Sequence, residues 1–371
     1  MRGDPRSGPP PRAAGLPPAS GDPYAEDVPP RRVGPYEILS VIGRGGIGTV
    51  YRGRHLESGR LAAVKVLGPS PVVDPTAARR LAREYEVLRT LDHPNVVRVY
   101  DAGVSEGYSY LAMELVLGLV LRAYLSPELD GGGPPEDSPF LTGSGEGSAP
   151  DGSGAEAIRA LASMMDEPET EPERWPGIAR TTGEAPQGPI PPPGPEALEA
   201  LNRPDRVSRL RVALAQVAEA LAYVHGRGLV HRDLKPSNVM VDDDRRARLM
   251  DFGLVKGSAE GDDEALTATG RIVGTYRYMS PEQARARPVD ARSDLYSLGV
   301  ILYELLAGVP PHPARDPVLL WREILHGTPA PLLSVNPDAD RGLAGLAMRL
   351  LERDPARRPW SAAEVAATIR G

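Results

Sequence analysis

Short apolar runs mark the first part of the chain and helical periodicity the last. Tyr36-Glu37-Ile38-Leu39 and Val50-Tyr51-Arg52-Gly53 are strand-like segments on either side of a glycine-rich turn. Leu61-Ala62-Ala63-Val64-Lys65-Val66-Leu67 has the length and composition of a buried strand. From Pro75 to Leu91 the pattern changes to helix, with Leu81, Glu84, Val87 and Leu88 at helical spacing. A second helix is predicted from Arg206 to His225, where Leu210, Leu214, Val217, Leu221 and Val224 recur every three or four positions. It ends at His225-Gly226-Arg227-Gly228, glycine being the usual residue of a helix C-terminal turn. Leu298–Leu306 and Leu343–Leu351 read as further core helices.

Two stretches lack such periodicity. Residues 1–34 are rich in Pro, Gly and Arg and read as a disordered arm. Residues 126–200 are rich in Gly, Pro and Ser and read as an acidic low-complexity insertion, with a short helix across Ala155 to Met165. That stretch holds fifteen Asp or Glu against three Arg, a net charge of −12, while the whole chain carries −7. The remainder is therefore mildly basic, and the insertion is open to four readings: a partner-binding segment, a carrier of phosphorylation sites, a segment that folds back on basic surface near Arg271, Arg277 and Arg285, or a plain spacer.

With 371 residues there is enough chain for a large core. The absence of cysteine excludes disulfides, thiolate metal sites and a cysteine nucleophile, and fits a cytoplasmic setting. No apolar run is long enough for a membrane span, and no signal-peptide apolar region opens the chain.

The chemistry concentrates in His231-Arg232-Asp233-Leu234-Lys235-Pro236-Ser237-Asn238, followed thirteen residues after that Asn by Asp251-Phe252-Gly253. Asp233 can take the proton of an attacking hydroxyl, and Asn238 and Asp251 offer the hard oxygen ligands that Mg2+ prefers. Gly43-Arg44-Gly45-Gly46-Ile47-Gly48 sits between strands rather than ahead of a helix, which favours a hairpin closing over phosphates instead of a dinucleotide-binding turn. Lys65, inside an apolar run, needs a carboxylate to offset the cost of burying its ammonium. Glu84 is the candidate, and Glu86 falls on the opposite helix face.

These motifs resemble the bacterial eukaryotic-like (Hanks-type) serine/threonine protein kinases. The resemblance covers the chain apart from the arm and the insertion. It implies an α+β, two-lobed protein kinase-like fold over 35–371: a small antiparallel β-sheet lobe over 35–113 and a mostly helical lobe over 117–371. Within the motifs it implies that Gly43, Gly45 and Gly48 cover the phosphates of ATP and that Lys65, paired with Glu84, orients them. Asp233 is then the base, Lys235 neutralises charge, and Asn238 and Asp251 bind Mg2+ or alternatively Mn2+. Ile42, Val50, Ala63 and Met240 take positions around the adenine, Met113 that of the gatekeeper, and Glu114-Leu115-Val116 that of a hinge whose backbone bonds the purine.

Gly274-Thr275-Tyr276-Arg277-Tyr278-Met279-Ser280-Pro281-Glu282 resembles the end of an activation segment. It implies a Glu282–Arg358 ion pair and a bracing role for Asp294. Lys235 and Thr275 accompany Ser/Thr preference in this family. Thr267 and Thr269 align with autophosphorylated threonines, whose phosphate Arg232 would receive. The implied partners are ATP and proteins bearing Ser or Thr, with back-to-back pairing of two small lobes in similar kinases and no nucleic acid. A pseudokinase scaffold and an ATP-dependent small-molecule phosphotransferase are the alternatives. The first usually lacks a catalytic residue, and the second has no use for Ser280-Pro281-Glu282. Many relatives continue into a membrane helix, so the chain is expected to be either a soluble member or a fragment.

Overall fold

The computed structural model describes residues 30–45, 48–67, 85–105, 108–126, 188–252 and 276–371. Glu84, Thr267, Thr269, Arg271 and Thr275, together with the short helix expected across Ala155 to Met165, lie outside them.

Six antiparallel strands form the first sheet: β1 (Arg32–Val33), β2 (Tyr36–Gly45), β3 (Gly48–His55), β4 (Leu61–Leu67), β5 (Val99–Ser105) and β6 (Tyr108–Glu114), in the order β1-β2-β3-β4-β6-β5. Strand alternation explains how β4 carries a lysine. Ala62, Val64 and Val66 point to one face and join Val33, Tyr36, Tyr51, Tyr110 and Ala112 in an apolar cluster. Ala63 and Lys65 therefore point to the other face, opposite Met113 and Leu111 on β6. The Lys65 side chain keeps 20% of its surface exposed, so the apolar run is buried on one side only.

The sheet begins inside the stretch read as an arm. Val33 is 2% exposed and pairs with Tyr36, an isolated apolar residue among arginines that composition alone did not reveal.

Beyond Glu114 the chain forms β7 (Gly118–Val120), which pairs with β8 (Val239–Asp242) and then β9 (Ala247–Leu249) in a second sheet. The two sheets are stitched together by the segment before β5. Val97 N–H donates to Leu249 O at 2.9 Å, Leu249 N–H donates to Asn95 O at 2.8 Å, and the Asn95 amide donates to Ala247 O at 2.8 Å.

Helices fill the rest: α1 (Leu121–Tyr124), α2 (Pro195–Leu201), α3 (Pro204–His225), α4 (Pro281–Ala284), α5 (Ala291–Ala307), α6 (Pro317–His326), α7 (Leu332–Val335), α8 (Arg341–Leu350) and α9 (Ala362–Arg370). α5 is buried on nearly every side, as expected of a helix apolar all round at the centre of a lobe. It starts on an Asp290 cap and stops at Gly308 with φ of 72°, the left-handed position at which glycine ends helices. α3 packs its predicted leucine stripe into the same core.

α2 lies within the stretch read as low complexity. None of its residues is fully buried, which is why periodicity gave no signal there. Its anchorage comes from Arg206 on α3, 2% exposed, which donates to the carbonyls of Leu125 at 2.9 Å, Leu201 at 2.8 Å and Leu305 at 2.9 Å. One buried guanidinium thus ties the chain before and after residues 127–187 to the helical core.

Gly299 marks the tightest packing of α5, since a Cβ there would sit 2.6 Å from the Leu350 side chain of α8. Gly299→Ala is expected to lower the unfolding free energy by about 1–3 kcal/mol through overpacking, read as a lower urea midpoint at unchanged slope. An unchanged midpoint would show that α5 and α8 are free to separate.

Candidate active site

A buried carboxylate organises the loop after α3. Asp294 on α5 is 0% exposed and accepts from His231 N–H at 2.8 Å, Arg232 N–H at 2.9 Å and His225 Nε2 at 2.8 Å. These bonds hold Arg232 at φ of 63°, a left-handed conformation rare for a side chain larger than Asn. Burial pushes the His231 imidazole below its ordinary value, against the opposing pull of Asp294. Its Nε2 faces the Met250 carbonyl at 3.0 Å and Nδ1 faces Asp233 N–H at 3.3 Å. A carbonyl only accepts and an amide N–H only donates, so the ring is the neutral tautomer with its proton on Nε2.

Asp233 follows directly. Lys235 Nζ donates to Asp233 Oδ2 at 2.9 Å, and Asn238 Nδ2 donates to the same oxygen at 3.2 Å and to the Asp233 carbonyl at 2.8 Å. Those bonds fix the orientation of the Asn238 amide, whose oxygen is turned away from Asp233. Asp251, held at φ of 55°, pairs with Lys65 across the junction of the two sheets, Nζ to Oδ2 at 3.0 Å. Lys65 therefore has the acidic partner its position requires. Among the described residues that partner is Asp251, and the Glu84 expected from sequence lies outside them.

Six residues expected around a purine meet in one apolar cluster. Ala63, Met113, Val116 and Met240 form its buried part with Val97, and Ile42 and Val50 pack against it. Glu114 closes β6, its side chain paired with Arg248 and its N–H donating to Arg98 O at 2.8 Å. That N–H is consequently spent within the protein. Above the cluster Gly43 pairs with Val50 and Gly45 with Gly48, whose φ of 154° is open to glycine alone at low cost.

A second buried carboxylate supports the loop from below. Arg358 grips Glu282 with two parallel bonds, Nη1 to Oε1 at 2.7 Å and Nη2 to Oε2 at 2.9 Å, and Ser293 Oγ donates to Oε1 at 2.5 Å. Burial pushes the Glu282 carboxyl up, but the Arg358 and Ser293 bonds outweigh it and hold the group below the ordinary carboxylate range. Sequence reasoning missed the neighbouring Gln283, whose amide donates to the Arg232 carbonyl at 2.8 Å. Its signal was legible as the fourth residue of Ser280-Pro281-Glu282-Gln283, a capping box that the structure forms.

Among the described residues no cluster of three or more His, Cys, Asp or Glu is placed to hold a metal. The oxygens of Asn238 and Asp251 still suit a small hard cation that takes its remaining ligands from phosphates and water.

Removing one partner of the buried pair leaves the other charge unpaired. Arg358→Met is expected to cost about 3–5 kcal/mol in urea unfolding at neutral pH. Because the folded Glu282 value is depressed, its contribution is present above the unfolded carboxylate value and lost as pH falls toward and below it. The difference between wild type and variant should therefore shrink on acidification. A constant difference would remove Glu282 from the account.

The model of the protein tyrosine and serine/threonine kinase family matches residues 36–366. The chain is 32% identical over 338 residues to the serine/threonine-protein kinase pkn2 of Myxococcus xanthus, covering 90% of this chain and 32% of that protein. It is 29% identical over 338 residues to the serine/threonine-protein kinase PknB of Mycobacterium tuberculosis, covering 90% and 42%. The chain thus spans about a third of the length of the first relative and about two fifths of the second. The Mycobacterium tuberculosis PknI kinase domain, in a double-mutant form, shares the fold with a TM-score of 0.53 at 24% identity, over 91% of this chain and 95% of that one. No helix among the described residues is long and apolar enough to cross a membrane. On the match over residues 36–366, with a two-lobed fold to support it, the chain belongs to the protein tyrosine and serine/threonine kinase family.

Proposed function

We propose that the domain is a serine/threonine protein kinase, transferring the γ-phosphoryl group of Mg-ATP to protein hydroxyls. The observation that carries this reading is the Asp233–Lys235–Asn238 cluster joined through Met250 N–H, which donates to Asn238 O at 3.0 Å, to the segment that brings Asp251 to the Lys65–Asp251 pair. The apolar cluster of Ala63, Met113, Val116 and Met240 adjoins that pair, since Ala63 shares β4 with Lys65.

In this reading the substrate hydroxyl oxygen attacks the γ-phosphorus, the bond from that phosphorus to the β–γ bridging oxygen breaks, and ADP departs. Asp233 accepts the hydroxyl proton. Lys235 sits 2.9 Å from Asp233 Oδ2, where its ammonium can follow the charge that develops on the transferring group. Lys65 orients the α- and β-phosphates, and Gly43, Gly45 and Gly48 close over them through backbone N–H groups. A bound Mg2+ ion, or Mn2+ in its place, held by Asn238 and Asp251 would neutralise phosphate charge. Preference for Ser and Thr over Tyr is supported by Lys235 and by the names of the two bacterial relatives.

The reading extends to regulation. Phosphate placed on Thr267 or Thr269 would find a guanidinium at Arg232 beside the base, and mass spectrometry after incubation with ATP tests this. No phosphate on either threonine in active protein would remove it. A cytoplasmic site of action and pairing of two small lobes belong to the same reading. Leu39 and Val41 stand 38% and 40% exposed on β2, and sedimentation as a monomer at all concentrations would remove the pairing.

Asp233→Asn is expected to lower phosphate incorporation into a generic basic protein by at least about a hundredfold, the span of a general base, while nucleotide affinity changes little. Lys65→Met should raise the KM for ATP as well as lower kcat. Full transfer by Asp233→Asn would refute the assignment of the base.

A further inference from the structure

Arg122 occupies α1, the single turn that follows β7 and packs against the Pro236–Asn238 turn directly after the base. Its Nη2 donates to Glu304 Oε1 at 2.7 Å and to the Tyr278 hydroxyl at 3.2 Å, and that hydroxyl donates to Glu304 Oε2 at 2.7 Å. Burial, and then Glu304, hold the Tyr278 phenol above its ordinary value, so it stays protonated as this donor. The triad joins the residues after the hinge to the end of the activation segment and to the central helix α5.

Its two charged members are not equally accessible. The Arg122 side chain is 59% exposed, whereas Glu304 is 11% exposed, so the cation faces outward and its counter-charge is turned in. Both bonds run through Nη2, which leaves the Nε and Nη1 protons outside the triad. Each can give one charge-assisted bond to a carboxylate oxygen, singly rather than as a fork, because both forks of a guanidinium include Nη2.

The surrounding charge has the same sign. Between Tyr276 and Arg287 stand Arg277, Arg285 and Arg287 against the single carboxylate of Glu282, which Arg358 already neutralises. Arg277 gives two donors to the carbonyls of His312 and Ala314, neutral groups that leave its charge in place. The edge of this platform reaches the base through Gln283 and the Arg232 carbonyl.

We propose that Arg122 is a specificity-determining residue whose guanidinium receives an acidic side chain of the peptide substrate, so that the domain selects hydroxyls lying in acidic sequence. This rests on the kinase reading and names its substrate class. A glutamate where Arg122 stands would leave two carboxylates and no cation at this corner, and would favour basic peptides instead.

The test uses the full chain and synthetic threonine peptides that differ only in carrying Glu, Gln, Lys or phosphoserine beside the acceptor. Wild type is expected to use the Glu peptide about tenfold better than the Gln peptide in kcat/KM, mostly through KM, with Lys the poorest. Phosphoserine, the other source of anionic oxygens, should at least match Glu. In Arg122→Gln the Glu and Gln peptides should differ by less than about twofold, and Arg122→Glu should invert the order.

Arg122→Gln strands Glu304, so the double variant Arg122→Gln/Glu304→Gln provides a folded control in which the preference must also be lost. Equal use of all peptides by wild type, a Lys preference, phosphoserine no better than Gln, or a Glu preference that survives in Arg122→Gln would each overturn the proposal. If wild type phosphorylated none of the peptides nor a generic basic protein, the kinase reading itself would fall, and this inference with it.

Discussion

The structure of the site hangs on Asp294, a carboxylate with no solvent exposure whose oxygens take bonds from His231 N–H, Arg232 N–H and His225 Nε2. A buried carboxylate is tolerable only when donors surround it, and here the donors belong to the loop that carries the base. The left-handed backbone at Arg232 is the consequence, and it sets the direction in which Asp233 leaves the loop. His231, kept neutral and hydrogen-bonded to the Met250 carbonyl, then links that loop to the strand end that delivers Asp251. Both acidic residues of the proposed chemistry are positioned by groups that never meet a substrate.

Much of this was legible because the chemistry is written in contiguous motifs. The octapeptide around Asp233 and the triplet at Asp251 each bring their functional groups close by local geometry. The Ala63 and Lys65 positions followed from strand alternation once β4 was recognised. What could not be read were bonds between distant positions. Arg206 reaches residues 81 and 99 positions away, contacts that no local pattern announces. Val33 and α2 were missed for a related reason, since one supplies a single apolar residue and the other none that is fully buried. Asp251 also pairs with Lys65, a contact between positions far apart in the chain that the motifs did not announce.

Charge is distributed with the same economy. One of the readings of the acidic stretch 126–200 has it fold back on basic surface near Arg271, Arg277 and Arg285. The structure shows the side chains of Arg277 and Arg285 bonded to carbonyls, and Arg271 lies outside the described residues. Arg122, which the motifs did not single out, turns its guanidinium outward because Glu304 and Tyr278 hold it from the inner side. Buried ion pairs such as Glu282–Arg358 thus build the platform, and a half-exposed one gives it a sign.

The most direct test of this account replaces Asp294 by Asn, which keeps the volume but turns one acceptor into a donor facing a backbone N–H. Loop displacement of about 1 Å is enough to cost on the order of a hundredfold in rate. The account predicts that loss in kcat for phosphoryl transfer, with the dissociation constant for ATP, measured calorimetrically, within a few-fold of wild type. A kcat within about twofold of wild type would show that the catalytic loop does not depend on this carboxylate, and the account would be wrong at its root.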